Sequence, residues 1–135
     1  MASSQMEFYR RGNKGKIEIN WHGYENGGEE IFHQAYDALR SIDTALIVVQ
    51  SEPNTSATCF RMILQIIREA SSLGVETRVV LPDKLLLDAA EVTGFCNFYQ
   101  VFLTEVAALD DLNITDFYPL TLMPIGNPKP GPIAA

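Results

Sequence analysis

The 135-residue chain has little of what most chemistries require. It holds two cysteines and two histidines. Cys59 and Cys96 are far apart, in segments that read as buried. Two cysteines make no disulfide framework, and reduced core thiols are the expectation. Neither His22 nor His33 has a cysteine or carboxylate at ligand spacing, so no metal site is expected. No base stands beside either thiol, so a fold would have to assemble any nucleophile–base pair, and catalysis is not expected. Cations are also scarce: 10 Lys and Arg stand against 17 Asp and Glu, a net charge of −7. Nucleic acid and anionic lipid would be repelled, which sets both aside as partners. The cluster Arg10, Arg11, Lys14 and Lys16 reads as a solvated edge. No apolar run approaches the roughly 18–20 residues needed to span a bilayer. The start, MASSQMEFYRRG, lacks the apolar core of a secretion signal, so a soluble cytoplasmic protein is expected. Gly27-Gly28 lacks both the glycine fingerprint and the Lys-Ser/Thr of a nucleotide loop, and no cofactor is expected.

What is present is an ordinary globular composition, 47% hydrophobic and 20% charged, in a length that suits one domain. Met6–Arg11 and Lys16–Trp21 read as strands around the turn Gly12-Asn13-Lys14-Gly15. Ile17, Ile19 and Trp21 alternate with polar residues, the pattern of a half-buried strand. Glu29–Ile42 reads as a helix with Ile31, Ala35, Ala38, Leu39 and Ile42 inward. Ala45–Val49 is an unbroken apolar run, as expected of a strand buried on both faces. A second helix spans Ala57–Leu73 and stops at Gly74. Val75–Leu81 is a strand. Asp83 caps a short helix to Val92 with Leu85, Leu86 and Ala89 inward. Phe98–Phe102 is a last strand, and Thr104 caps a final short helix to Leu109. This alternation predicts an α/β domain over residues 1–112: a mixed, mostly parallel sheet of four to five strands, an N-terminal antiparallel hairpin and about four helices. Residues 113–135 form an extension with five of the seven prolines. Phe117, Tyr118 and Leu122 would pack its first half, and residues 124–135 read as disordered.

The turn between Val49 and the second helix is where function is expected. Asn54, Thr55 and Ser56 stand at the helix start, where their side chains can accept hydrogen bonds from free backbone N–H groups. The same position, at the positive end of the helix dipole, suits a phosphate. On the helix itself, Arg61, Gln65, Arg68, Glu69 and Ser72 share one face, opposite Phe60, Ile63, Ile67 and Ala70. The apolar arc is wide, about 200° where a simple surface helix shows about 100°. Deep burial explains it; so would an edge at Met62 and Ile66 that covers a partner or a second copy of the chain.

These residues resemble the STAS domain, the sulfate transporter and anti-sigma factor antagonist family, across residues 6–112. The resemblance is carried by three matches in order. The strand ALIVV is followed by a short loop and the tetrad Asn54-Thr55-Ser56-Ala57, where the family usually has an acidic residue, Ser or Thr, Ser, and a small residue. A helix ends in Ser72-Leu73-Gly74 before a strand. LLLDAAEVTGFCNFYQVFLTEVAAL is similar to the family's closing pattern. The resemblance implies a non-catalytic binding module that engages a serine/threonine kinase acting as anti-sigma factor, switched by phosphorylation at Thr55. Ser56 is a capping or secondary acceptor, and Asn54 and Ala57 shape the turn. Asn54 replaces the usual acidic residue, and Thr58-Cys59 stand where the family often has Gly-Leu.

The sequence thus points to a stand-alone regulatory protein–protein binding module resembling an anti-sigma factor antagonist. Tyr24, Glu25, Asn26, Arg61 and Met62 are its further candidate interface residues. The alternative is a degenerate domain acting as a constitutive scaffold or small-ligand binder, its ligand near Pro53–Ser56 and Pro82–Asp83 at the carboxyl ends of the strands.

Overall fold

In a computed structural model of the chain, residues 4–23, 28–51, 56–97, 99–109 and 121–122 are described, the last pair by backbone alone. Strand β1 (Gln5–Arg11) turns at Gly12-Asn13 into β2 (Lys14–Trp21). Arg11 pairs directly with Lys14, so the hairpin loop has two residues, tighter than the turn expected from the sequence. Gly12 alone takes a positive φ, 58°, as a two-residue loop with glycine first requires. Helix α1 (Gly28–Leu39) leads to β3 (Thr44–Ser51), and α2 (Ser56–Ser72) leads to β4 (Glu76–Val80). Helix α3 (Lys84–Val92), a 3-10 turn at Phe95–Asn97, β5 (Val101–Phe102) and α4 (Glu105–Ala108) complete the expected order.

The strands form one sheet in the order β5-β4-β3-β2-β1-β6. β2 through β5 are parallel neighbours, and β1 is antiparallel to β2. The mixed α/β architecture is the expected one. It gains a sixth strand, β6 (Thr121–Leu122), which pairs antiparallel with β1 at Arg10 and Tyr9. That pair comes from the segment the sequence sets apart as an extension.

β3 explains the apolar run that marks it. Ala45, Ile47 and Val49 enter the main core, shared with α1, α2 and α3. Leu46 and Val48 enter a smaller core on the opposite face, with Val80, Ala108 and Leu109. From Thr44 to Val49 the strand has no exposed position, and Gln50 is the first. The second face is otherwise polar. Lys16 reaches Glu18 at 3.1 Å and Glu105 at 3.3 Å, and the buried Arg78 binds Glu76 and the Ala108 carbonyl. Lys14 pairs with Asp43 at 3.1 Å, so two cations of the expected basic edge are engaged within the fold.

Several details differ from the pattern reading. α1 ends at Leu39; the chain tightens through Ser41 N–H to Ala38 and Ile42 N–H to Leu39, and Ile42 is buried beyond the helix. Leu85 faces outward, 70% exposed, while Leu86 and Ala90 form the buried stripe of α3. Helical phase decides this: Leu86 and Ala90 are four apart on one face, and Leu85 is rotated off it. β5 is shorter than expected, Val101–Phe102, and the chain before it takes a 3-10 turn in which Phe95 stacks on Phe60, ring centroids 5.1 Å apart. α2 ends as expected at Gly74, φ 74°, in a Schellman motif: Val75 N–H reaches the Ala70 carbonyl at 2.8 Å and Gly74 N–H that of Ser71 at 3.1 Å.

Candidate functional site

β2 and β3 run parallel and end together, Trp21 opposite Ser51. The chain therefore leaves the sheet at adjacent points after each strand, and the candidate residues follow both strands in the sequence. After β3 it re-enters a helix at Ser56. Asn54 and Thr55 fall between, outside the described residues, as do Tyr24, Glu25 and Asn26 after β2. Ser56 is the first residue of α2, and Ala57 is exposed.

The first turn of α2 is fastened to both strand ends. Trp21 Nε1–H donates to Thr58 Oγ1 at 3.1 Å. Trp21 is fully buried, and an indole N–H taken from water needs such an acceptor. Cys59, also fully buried, hydrogen-bonds with Ser51. Burial pushes its thiol up to about 12, against the smaller opposing effect of Ser51. Burial, aided by the charge of Glu91, also raises the Cys96 thiol. At neutral pH both are thiols, the form that is neither nucleophile nor ligand. The far side of β2 is held as well: His22 N–H donates to Ser4 Oγ at 2.8 Å, and the Ser4 hydroxyl donates to the Gly23 carbonyl at 3.3 Å.

Further along α2 the polar face is the expected one. Arg61, Gln65, Arg68, Glu69 and Ser72 are exposed. Met62 and Ile66 are not at an open edge: Met62 is 0% and Ile66 2% exposed, both within the main core. Met62 is therefore withdrawn from the candidate interface, and the wide apolar arc reflects burial between the sheet and its neighbouring helices. Arg61 remains an exposed residue one turn from the helix start.

A shallow cavity of about 360 Å³ opens at the carboxyl ends of β2, β3 and β4, lined by Asn20, Gln50, Ser51, Pro82 and Asp83. Asp83 Oδ1 also accepts from Leu85 N–H at 2.9 Å, capping α3. The lining offers two amides, a hydroxyl and a carboxylate, groups suited to a small polar molecule. Among the described residues no three His, Cys, Asp or Glu side chains group to hold a metal, and no helix is long and apolar enough to cross a membrane.

Trp21 and Thr58 are the residues that pattern reading passes over. Trp21 reads only as an inward strand position and Thr58 only as a departure from a family pattern. The available signal was the single tryptophan. A buried indole at a strand end demands an acceptor, and a hydroxyl early in the helix that follows the neighbouring strand supplies one.

No protein-family model and no curated protein matches the chain. Solved structures do. An anti-sigma factor antagonist from Mycobacterium paratuberculosis superposes with a TM-score of 0.59 at 11% identity, over 82% of this chain and 94% of its own. The anti-sigma factor antagonist SpoIIAA in its unphosphorylated form gives 0.54 at 14%, over 79% and 95%. The Bacillus cell fate determinant SpoIIAA in the phosphorylated form gives 0.50 at 15%, over 81% and 98%. The fold of this chain is the fold of these proteins.

Proposed function

We propose that this STAS-type fold serves as a regulatory protein–protein binding module of the anti-sigma factor antagonist kind, switched by phosphorylation at Thr55. The observation that carries the reading is the pairing of that fold with a hydroxyl-bearing helix start at the carboxyl end of its central strand. One of the similar structures is of a phosphorylated form and another of the unphosphorylated form of an antagonist. Carried to this chain, the acceptor is Thr55, with Ser56 as capping or secondary acceptor. The partner is a serine/threonine kinase that doubles as an anti-sigma factor. Arg61, exposed on the first turns of α2, and residues Tyr24, Glu25 and Asn26 after β2 complete the proposed contact surface.

The switch follows from charge. A phosphate adds nearly two negative charges and three acceptor oxygens. On Thr55, the residue before the first of α2, it would be favoured in free protein by the helix's N–H groups and dipole. Against a partner it would be desolvated without a compensating cation, which disfavours the complex by several kcal/mol. The domain itself performs no covalent chemistry in this scheme. Incubation with ATP and the kinase recovered from the native host, followed by peptide mass spectrometry, tests the acceptor. Phosphate on Thr55 is expected; phosphate elsewhere, or none, would remove Thr55 from the reading.

The cavity at Asn20, Gln50, Ser51, Pro82 and Asp83 favours a second reading, a small-ligand binder at the carboxyl ends of the strands. Native mass spectrometry of the purified protein would show a retained polar ligand, and Asp83→Ala would release it.

A further inference from the structure

The two edges of the sheet differ in how they are guarded. At one, β1 carries Glu7, Arg10 and Arg11, and β6 pairs along its outer side. At the other stands β5, the last strand in the order among the described residues. Edge strands are commonly protected by charge or proline, because their outward N–H and C=O groups are a template for another strand. β5 has neither protection. From Val92 to Thr104 the sequence holds no charged residue and no proline, in a chain of net charge −7. Uncharged segments rich in aromatic and β-branched residues pair readily as strands, and here the segment reads NFYQVFL. The backbone of β5 is oriented for such pairing. The carbonyls of Gln100 and Phe102 accept from Val79 N–H at 3.4 Å and Leu81 N–H at 2.8 Å, so they face β4. Val101, between them, alternates, and its N–H and C=O point to the outer side of the sheet. An open cavity of about 500 Å³ lies along this stretch, with Tyr99, Gln100, Val101 and Phe102 in its lining. Leu103, 41% exposed, and Val106, 67% exposed, extend the apolar surface past the end of the strand.

We propose that the β5 edge is a self-association surface, where a second copy of the chain adds its own β5 antiparallel across a twofold axis. Centred on Val101, the pairing exchanges two hydrogen bonds between the Val101 N–H and C=O groups of the two copies. The same register sets Tyr99 of one copy opposite Leu103 of the other, an aromatic–aliphatic pair. Charge selects the occupant. Copies that each carry −7 repel one another, and an uncharged stretch lets them meet without like charges face to face. A twofold contact needs only a patch that complements itself, and an antiparallel edge does so. With β5 two residues long, the contact is weak and reversible. It replaces the edge at Met62 and Ile66 as the place for a second copy, since both of those side chains are buried. The pairing does not depend on the phosphorylation reading.

Sedimentation velocity of the full chain, from micromolar to millimolar concentration, tests the proposal together with amide exchange followed by NMR. A monomer–dimer equilibrium is expected, and it tightens as salt rises, because screening lowers the repulsion between acidic copies. The Val101 amide exchanges more slowly as the dimer fills. The Leu81 amide, already bonded to Phe102 within one copy, keeps its protection at every concentration. Leu103→Lys weakens the dimer about tenfold or more, although it lowers the net negative charge. Leu85→Lys, the same charge change at a 70% exposed position on α3, does not weaken it. A chain that stays monomeric throughout would overturn the proposal. So would a dimer that the two lysine variants weaken alike, or one that leaves the Val101 amide unprotected. The Val101 reading is made on the unaltered chain, so it stands even if Leu103→Lys does not fold.

Discussion

At the scale of single residues, burial decides which groups are chemically available. Cys59 is the clearest case, its thiol pushed up to about 12 by desolvation. The folded value lies above the ordinary 9.0, so the folded state holds its proton more tightly than the unfolded chain does. Stability from this group is complete below the ordinary value and is lost as pH rises from there towards the folded value. We expect the urea midpoint to fall across that alkaline window, and Cys59→Ala to remove part of the slope. Native Cys59 should react with alkylating reagents no faster than the chain unfolds, as timed by mass spectrometry. Gly15 is decided by space. A Cβ there would stand 2.7 Å from Phe8 Cε1 and 2.8 Å from Ile42 Cδ1. The ring cannot give way readily, so Gly15→Ala should destabilise by about 1–3 kcal/mol in chemical denaturation.

At the scale of elements, most of the fold was legible in the sequence because each segment's periodicity matched its surroundings. The run Ala45–Val49 announced a strand buried on both faces, and the Asp83 and Thr104 caps fixed two helix starts at the residues observed. Errors arose where apolar residues exceeded the burial available. An apolar pattern places Leu85 inward, yet helical phase leaves it outside. Met62 was open to either reading because an apolar arc cannot reveal how many neighbours surround a helix. For β6 the sequence offered only Leu122 in a packed extended segment, since two residues among prolines have no period to mark a strand. At the candidate site, the sequence indicated a helix from Ala57, one residue after the observed start at Ser56, but the Trp21–Thr58 bond joins residues 37 apart and depends on which strands are neighbours. α2 supplies a direct contrast. Met62→Ala should cost about 2–5 kcal/mol as a core truncation. Arg61→Ala, at an exposed position, should change stability by no more than about 0.5 kcal/mol. If Arg61 contacts the partner, it alone will weaken binding at unchanged thermal stability.

At the scale of the whole molecule, β2 and β3, the strands that precede both candidate segments in the sequence, terminate side by side in a sheet with its main core on one face. The hairpin and α4 lie away from that end, the latter held by Lys16 and Arg78 on the second face. The central claim is that a negative charge at Thr55 dissociates a kinase partner. The most direct test captures the partner from the native host with wild-type protein, then titrates that purified partner against wild type and Thr55→Glu by calorimetry. The account predicts recovery of a serine/threonine kinase and a loss of affinity on the order of a hundredfold or more with Thr55→Glu. Equal affinity for the two forms, or capture of no kinase at all, would contradict it.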